Sequence, residues 1–298
     1  MIEKVFFMDF LITLVNGLSM GGTYAMIALG YTMVYGIAKM LNFAHGDIIM
    51  VGGYAILVGL SVNPIVAVLF SMLFCTVLGV TIERVAYRPL RGSSPLAVLI
   101  TAIGVSYLLQ SIILAIPQFG ADTHYVMIIK NLGSLQLGEI LIGYDTIITL
   151  IITLIVMISL TVFIKFTKTG RAMIAVSEDR DAARLMGINV NRIITITFAI
   201  GSALAAVAGF CSLLDTPWLE PYYGSLPGIK AFAAAVIGGI GSIPGAMLGG
   251  ILLGVVECIC NSIQPIAPYT IAIEFIILIL ILLVRPTGIL GKKRREKV

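Results

Sequence analysis

Long apolar runs alternate with short polar interruptions along the chain. The runs are Phe10–Gly36, His45–Leu60, Pro64–Ile82, Leu96–Ile116, Ile140–Ile164, Ile193–Leu214, Ile229–Glu257 and Pro268–Val284. Most approach the ~20 residues that an α-helix needs to cross the hydrocarbon layer. They lack the period-two alternation of a membrane β-strand. The pattern predicts an all-α, polytopic membrane protein of about eight segments, with residues 1–298 forming a single transmembrane domain. The N-terminal run lacks a small-x-small cleavage site, so the expectation is a retained first segment rather than a removed leader.

The polar interruptions carry the orientation. Three of them are basic: 83–95 with Arg84, Arg88 and Arg91; 165–192 with Lys165, Lys168, Arg171, Arg180, Arg184 and Arg192; and the tail with Arg285, Lys292, Lys293, Arg294, Arg295 and Lys297. Residues 117–139 carry only Lys130, and 215–230 only Lys230 against two acids. Basic loops mark the cytoplasmic side, which puts the C-terminus there. A parity problem follows, because Ile229–Glu257 must begin and finish on the outer side. The glycine cluster 238–245 interrupts this run, and a broken or re-entrant helix over 229–257 satisfies the parity. Close helix packing through small residues is the competing reading. The glycine-rich stretch 16–25 leaves a similar question over the first run. A short echo between 45–54 and 244–252 hints at an internal repeat.

Composition sharpens this picture. The 298 residues are 59% apolar and 11% charged, against about 25% charged in soluble domains. No basic stripe interleaved with aromatics points to nucleic acid. Cys75, Cys211, Cys258 and Cys260 lie in or beside apolar runs and read as free thiols. No phosphate-loop motif, catalytic triad or metal cluster is spaced along the chain, so neither enzyme chemistry nor a cofactor or metal is expected.

Inside the 165–192 loop, the residues predict a short helix over Glu178–Met186. Ser177 would cap it, acids would fill its first turn, and Gly187 would end it. Winding at about 100° per residue places Ala182, Ala183, Leu185 and Met186 on one arc, with Arg180 and Arg184 opposite. Such an arc needs a partner groove or lipid headgroups.

Other polar positions carry paired readings. Asn42, His45 and Asp47 would either line a pathway or gate or cap a helix start. Gly238, Gly239 and Gly241 belong to the candidate break. His124 reads as solvated, and Glu257 and Glu274 as solvated or hydrogen-bonded near the outer interface. Glu83 and Arg84 read as interfacial charges. Trp218, Tyr222 and Tyr223 read as interfacial anchors or a docking surface.

The strings NFAHGD (42–47), ERVAYRPLR (83–91), GRAMIAVSEDRDAARLMGIN (170–189), GGIGSIPGAMLGG (238–250) and RPTGILG (285–291) occur in this order. Together they resemble the permease subunits of branched-chain amino-acid ABC importers, the shorter permease type above all. The resemblance implies an ATP-driven importer in a prokaryotic plasma (inner) membrane. Its parts would be two permeases, often different ones, two ATPase subunits, and an extracytoplasmic binding protein that delivers the amino acid. It also implies that Gly170, Arg171, Ala172, Glu178, Asp179, Ala183, Gly187 and Ile188 belong to a coupling segment seated on the ATPase. Ser177-Glu178-Asp179 stands where the wider importer pattern has Glu-Ala-Ala, so the individual contacts do not carry over. The alternative function is a stand-alone secondary transporter, which would need buried acids near the midplane. No ring-forming filter motif suggests a channel.

Overall fold

The computed structural model describes residues 2–129, 133–137 and 140–291, without the side chains of 2–7, 137 and 140. Lys130 and the tail cations Lys292, Lys293, Arg294, Arg295 and Lys297 lie outside the described residues. The helices are α1 (Ile2–Ala38), α2 (His45–Gly59), α3 (Pro64–Ile82), α4 (Pro95–Ala115), α5 (Tyr144–Phe166), α6 (Lys168–Glu178), α7 (Arg180–Leu185), α8 (Val190–Asp215), α9 (Ser225–Gly238), α10 (Ile243–Ser262) and α11 (Thr270–Val284). A π-helical turn, Glu83–Tyr87, extends α3. A 3-10 turn, Ala267–Tyr269, leads into α11, and there are two short antiparallel pairings: β1 (His124–Tyr125) with β4 (Trp218–Leu219), and β2 (Ser134–Leu137) with β3 (Ile140–Gly143).

Among the described residues, seven helices are long and apolar enough to cross a membrane. The helices α2 and α9, with 15 and 14 residues, are about 22 Å long at 1.5 Å per residue. That falls short of a ~30 Å hydrocarbon layer.

The packing fixes where these half-length helices sit. Arg180 reaches Ile37 O at 3.0 Å, Arg91 bonds Asn191, and Thr195 bonds Glu83 at 2.7 Å. The end of α1, the π-turn, α7 and the start of α8 therefore share one end of the bundle, the basic end. His45, the first residue of α2, presses on Gly30 of α1, about 10 Å above Ile37 along the helix. Tyr54, near the other end of α2, lies 4.7 Å from the Phe119 ring beside His124. So α2 starts at mid-depth and occupies the half away from the basic end. Conversely, α9 starts where Gly224 and Gly228 abut Gly46. It ends at the basic end, where Gly241 meets Gly36 at 3.4 Å from a built Cβ.

The two halves of the bundle are related by inversion. In α1–α4, a full-length helix descends, the chain returns to mid-depth over 39–44, and a half-helix climbs. In α8–α11, a full-length helix climbs, the chain returns over 216–224, and a half-helix descends. The packing follows the same exchange: α1 lies on α10 as α8 lies on α3, and α2 lies on α8 as α9 lies on α1. This is the inverted-repeat plan of transporters. It pairs α2 with α9, so the sequence echo between 45–54 and 244–252, which would pair α2 with α10, does not mark it.

Two questions left open in the sequence are answered. The run 229–257 is broken at 239–242 into α9 and α10, and Gly239 adopts φ 108°, a backbone conformation that favours glycine. By contrast, α1 is unbroken. Its glycines let α10 approach: a Cβ on Gly21 would lie 2.7 Å from Ile251 Cα, and one on Gly17 2.8 Å from Val255 Cα. Small residues serve helix packing there.

Candidate functional site

The 165–192 loop does not form one helix over Glu178–Met186. It forms two, and the predicted cap is displaced. Thr167 caps α6 through Gly170 N at 2.9 Å, and a Cβ on Gly170 would collide with the backbone of Phe163 and Ile164 at the α5–α6 corner. Ser177 sits inside α6, its hydroxyl donating back to Ile174 O at 2.7 Å, and Glu178 is the last residue of α6. The chain turns extended at Asp179, whose carboxylate accepts from Asp181 N and Ala182 N, each at 3.0 Å. Asp179 is therefore the cap of α7. Ser177 is not, because the helix preceding it already claims its backbone.

The end of α7 matches its sequence signal. Gly187 has φ 81°, Gly187 N donates to Arg184 O at 2.9 Å and Ile188 N to Ala183 O at 3.0 Å. Together these bonds make a Schellman closure. The predicted apolar arc divides. Ala183 is buried against the bundle, while Ala182 is exposed and Leu185 and Met186 are 89% and 82% exposed. Arg171 is exposed and Ala172 half-buried.

Arg180 does not lie on a solvated face with Arg184. It turns inward to the carbonyl of Ile37, in the last turn of α1, where the helix dipole favours a cation. Burial lowers its pKa below the usual guanidinium value, and the neighbouring Arg91 and Arg184 act in the same direction. Burial also lowers that of Arg91, with Glu83 pulling the other way. Glu83 is fully buried and binds Arg91 and Thr195, rather than Arg84. A chain of polar contacts thus ties α7 to α1, and the π-turn to α8.

A second group lies at mid-depth, where α2 and α9 begin. Asn42 is buried and accepts from Tyr87 OH at 2.8 Å. Asp47 is buried and accepts from Gln110 Nε2 of α4 at 2.8 Å. His45 is buried edge-on to Tyr31, with ring centroids 4.7 Å apart. The capping reading fails here, because Ala44 is the N-cap of α2 and no side chain caps it. Beside this group, a groove of about 370 Å³ is lined by Phe43, Ser106, Gln110, Tyr222 and Ser225. Gly238, Gly239 and Gly241 do not join it. They sit at the basic end, where Gly239 packs on Gly288 and Gly291.

Sequence reasoning missed a third group. Lys230, read as the edge of an outer loop, is buried in the second turn of α9. Its Nζ lies 2.6 Å from Glu257 Oε1 and 3.2 Å from Glu274 Oε1, and Tyr24 OH donates to Glu257 Oε2 at 2.8 Å. Of the two readings for Glu257 and Glu274, solvated or hydrogen-bonded, the structure has the second: both are buried and bonded to Lys230. Lys230 stands near the positive end of α9, which disfavours a cation. Two carboxylates offset both the dipole and the burial. The usable signal was one cation and two acids in adjacent apolar runs, since such charges inside a membrane pair with one another. Of the remaining positions, His124 is half-buried and its Nε2 lies 2.9 Å from Phe119 O. Trp218 stacks obliquely on Tyr125 at 4.9 Å between centroids, and Tyr223 donates to Ser212 at 2.7 Å.

Full-length helices in inverted repeats, half-helices meeting at mid-depth and a short helix held at one end define a polytopic membrane permease. The family described as branched-chain amino acid transport system, permease component, matches residues 13–283. The high-affinity branched-chain amino acid transport system permease protein BraD of Pseudomonas aeruginosa is 45% identical, covering 96% of this chain and 97% of that protein. LivH of Escherichia coli K12, with the same descriptive name, is 43% identical, covering 98% and 99%. A solved structure, PsaBC from Streptococcus pneumoniae in complex with Fab, is similar at 15% identity and a TM-score of 0.45, covering 94% and 91%.

The chain belongs to the branched-chain amino acid transport permease family. It is the multi-pass inner-membrane permease subunit of an ABC-type branched-chain amino acid importer, and the family implies an ABC ATPase and a binding protein as its partners.

Proposed function

We propose that the importer's ATPase is felt through 168–188, with α7 seated in a groove of that subunit. One observation carries this: Leu185 and Met186 stand almost fully exposed at the tip of a helix whose other face holds α1 through Arg180. Two adjacent large apolar side chains need a covering partner, and a helix laid in a groove is one such mode. Movement of that partner would pull on the last turn of α1 and, through Ile188 and Asn189, on α8. The basic end is then cytoplasmic, as is the C-terminus, and a second, non-identical permease completes the path.

The amino acid, delivered by the extracytoplasmic binding protein, passes the mid-depth region near Asn42, His45 and Asp47, where α2 and α9 begin. Gly238, Gly239 and Gly241 act there only indirectly, as the hinge that lets α9 tilt. Replacing Leu185 and Met186 with Asp tests the docking. The expected result is loss of ATPase co-purification with normal membrane insertion, and undiminished co-purification refutes the reading.

A further inference from the structure

At the basic end, a groove of about 390 Å³ opens between the π-turn and the first turns of α8. Three arginines line it, Arg84 and Arg88 from one side and Arg192 from the other, with Asn189 and Thr195 between them. Among the described residues none of the three forms an ion pair. The nearby acid, Glu83, is committed to Arg91 and Thr195. Arg84 and Arg88 are four residues apart on one helical stretch, a like-charge spacing that costs stability. Arg192 occupies the first turn of α8, where the helix dipole also disfavours a cation. Three uncompensated guanidiniums that converge on one recess call for an anion.

The location limits which anion. The apolar spans Pro64–Tyr87 and Val190–Asp215 end and begin at this groove, so it lies at the edge of the membrane slab. The surface leading up to it is apolar and open: Val77 and Val85 are exposed on one side, and Leu96 and Ile100 on α4. A guanidinium matches phosphate oxygens in a two-pronged fashion, and basic pockets between membrane helices take lipid headgroups.

We propose that this groove binds the phosphate of an anionic phospholipid, with the acyl chains lying along α3 and α4. The bound lipid joins the π-turn to α8 beside the Glu83–Arg91–Asn191 contacts. It therefore braces the end of the bundle that also carries α7. This site does not depend on how the ATPase docks.

The test uses the permease purified with its partner subunits and placed in nanodiscs of phosphatidylcholine, alone or with a minority of phosphatidylglycerol. Lipid retained after detergent washing is measured by mass spectrometry. The wild type should retain phosphatidylglycerol selectively. Each of Arg84→Gln, Arg88→Gln and Arg192→Gln should weaken retention about fivefold, and the triple variant should abolish selectivity. A charge-matched control, Lys165→Gln with Lys168→Gln and Arg285→Gln, should leave it intact. Added inorganic phosphate should not displace the lipid. The proposal is overturned if the triple variant keeps its selectivity or if the control loses it equally. It is overturned too if inorganic phosphate displaces the lipid, or if the triple variant sheds the ATPase while keeping the lipid. An unchanged thermal midpoint of the triple variant in phosphatidylcholine alone separates loss of the site from loss of the fold.

Discussion

Lys230→Met removes the one cation from the buried Lys230–Glu257–Glu274 cluster and leaves two carboxylates facing each other without a counter-charge. The separations are 2.6 and 3.2 Å. At an effective dielectric of about 20 these correspond to gross attractions of about 6 and 5 kcal/mol. Desolvation offsets much of that, and removing one partner of a buried pair has a net cost of about 3–5 kcal/mol. At roughly 3 °C per kcal/mol for a chain of a few hundred residues, the unfolding midpoint should fall by roughly 10 °C. The assay is built into the chain. Cys75, Cys211 and Cys260 are buried free thiols that a thiol-reactive fluorophore labels as the purified protein in detergent unfolds. Adding Glu257→Gln and Glu274→Gln to Lys230→Met removes the stranded charges, and the amide oxygen introduced by Glu257→Gln can still accept from Tyr24. That triple variant should recover more than half of the loss. A Lys230→Met midpoint equal to wild type, or a triple variant below the single one, would refute the claim that the lysine exists to balance the two acids.

Three further outcomes follow from other contacts. Arg180→Gln should leave ATPase association intact but lower amino-acid uptake per ATP hydrolysed, since only the grip on Ile37 is lost; parallel uptake and phosphate-release measurements in proteoliposomes check this. Asp179→Ala should cost about 1 kcal/mol of local helix stability, visible as faster amide exchange at Asp181 and Ala182, whereas Ser177→Ala should leave those amides unchanged. Gly21→Val should destabilise the α1–α10 contact by about 1–3 kcal/mol or more, because a Cβ there would already lie 2.7 Å from Ile251 Cα; the same thiol-labelling melt reads it.

What the sequence made legible follows from the physics of the bilayer. An apolar run ends where the hydrocarbon ends, so α3 falls on the expected Pro64–Ile82, and charge parity exposed the break between α9 and α10. The rest depended on contacts between distant segments. Charge at a loop edge does not reveal that 216–224 returns to mid-depth, so Lys230 read as an outer residue although it is buried. Local capping rules favoured Ser177, but Thr167 starts an earlier helix that absorbs it. A helical wheel put Arg180 opposite the apolar arc, but its long side chain bends back 143 residues to Ile37. The wheel grouped Leu185 and Met186 with Ala183 on one arc, but it could not show that Ala183 packs on the bundle while the other two stay exposed.

The most direct test of the central claim, that ATP hydrolysis in another subunit drives this permease through 168–188, is leucine uptake into proteoliposomes. The chain would be reconstituted alone, with the proposed second permease and the ATPase subunits, and with those subunits but carrying Leu185→Asp and Met186→Asp. The account predicts uptake only in the complete wild-type assembly supplied with ATP and binding protein. Uptake by the chain alone down an ion gradient, or full ATP-driven uptake with the double variant, would contradict it.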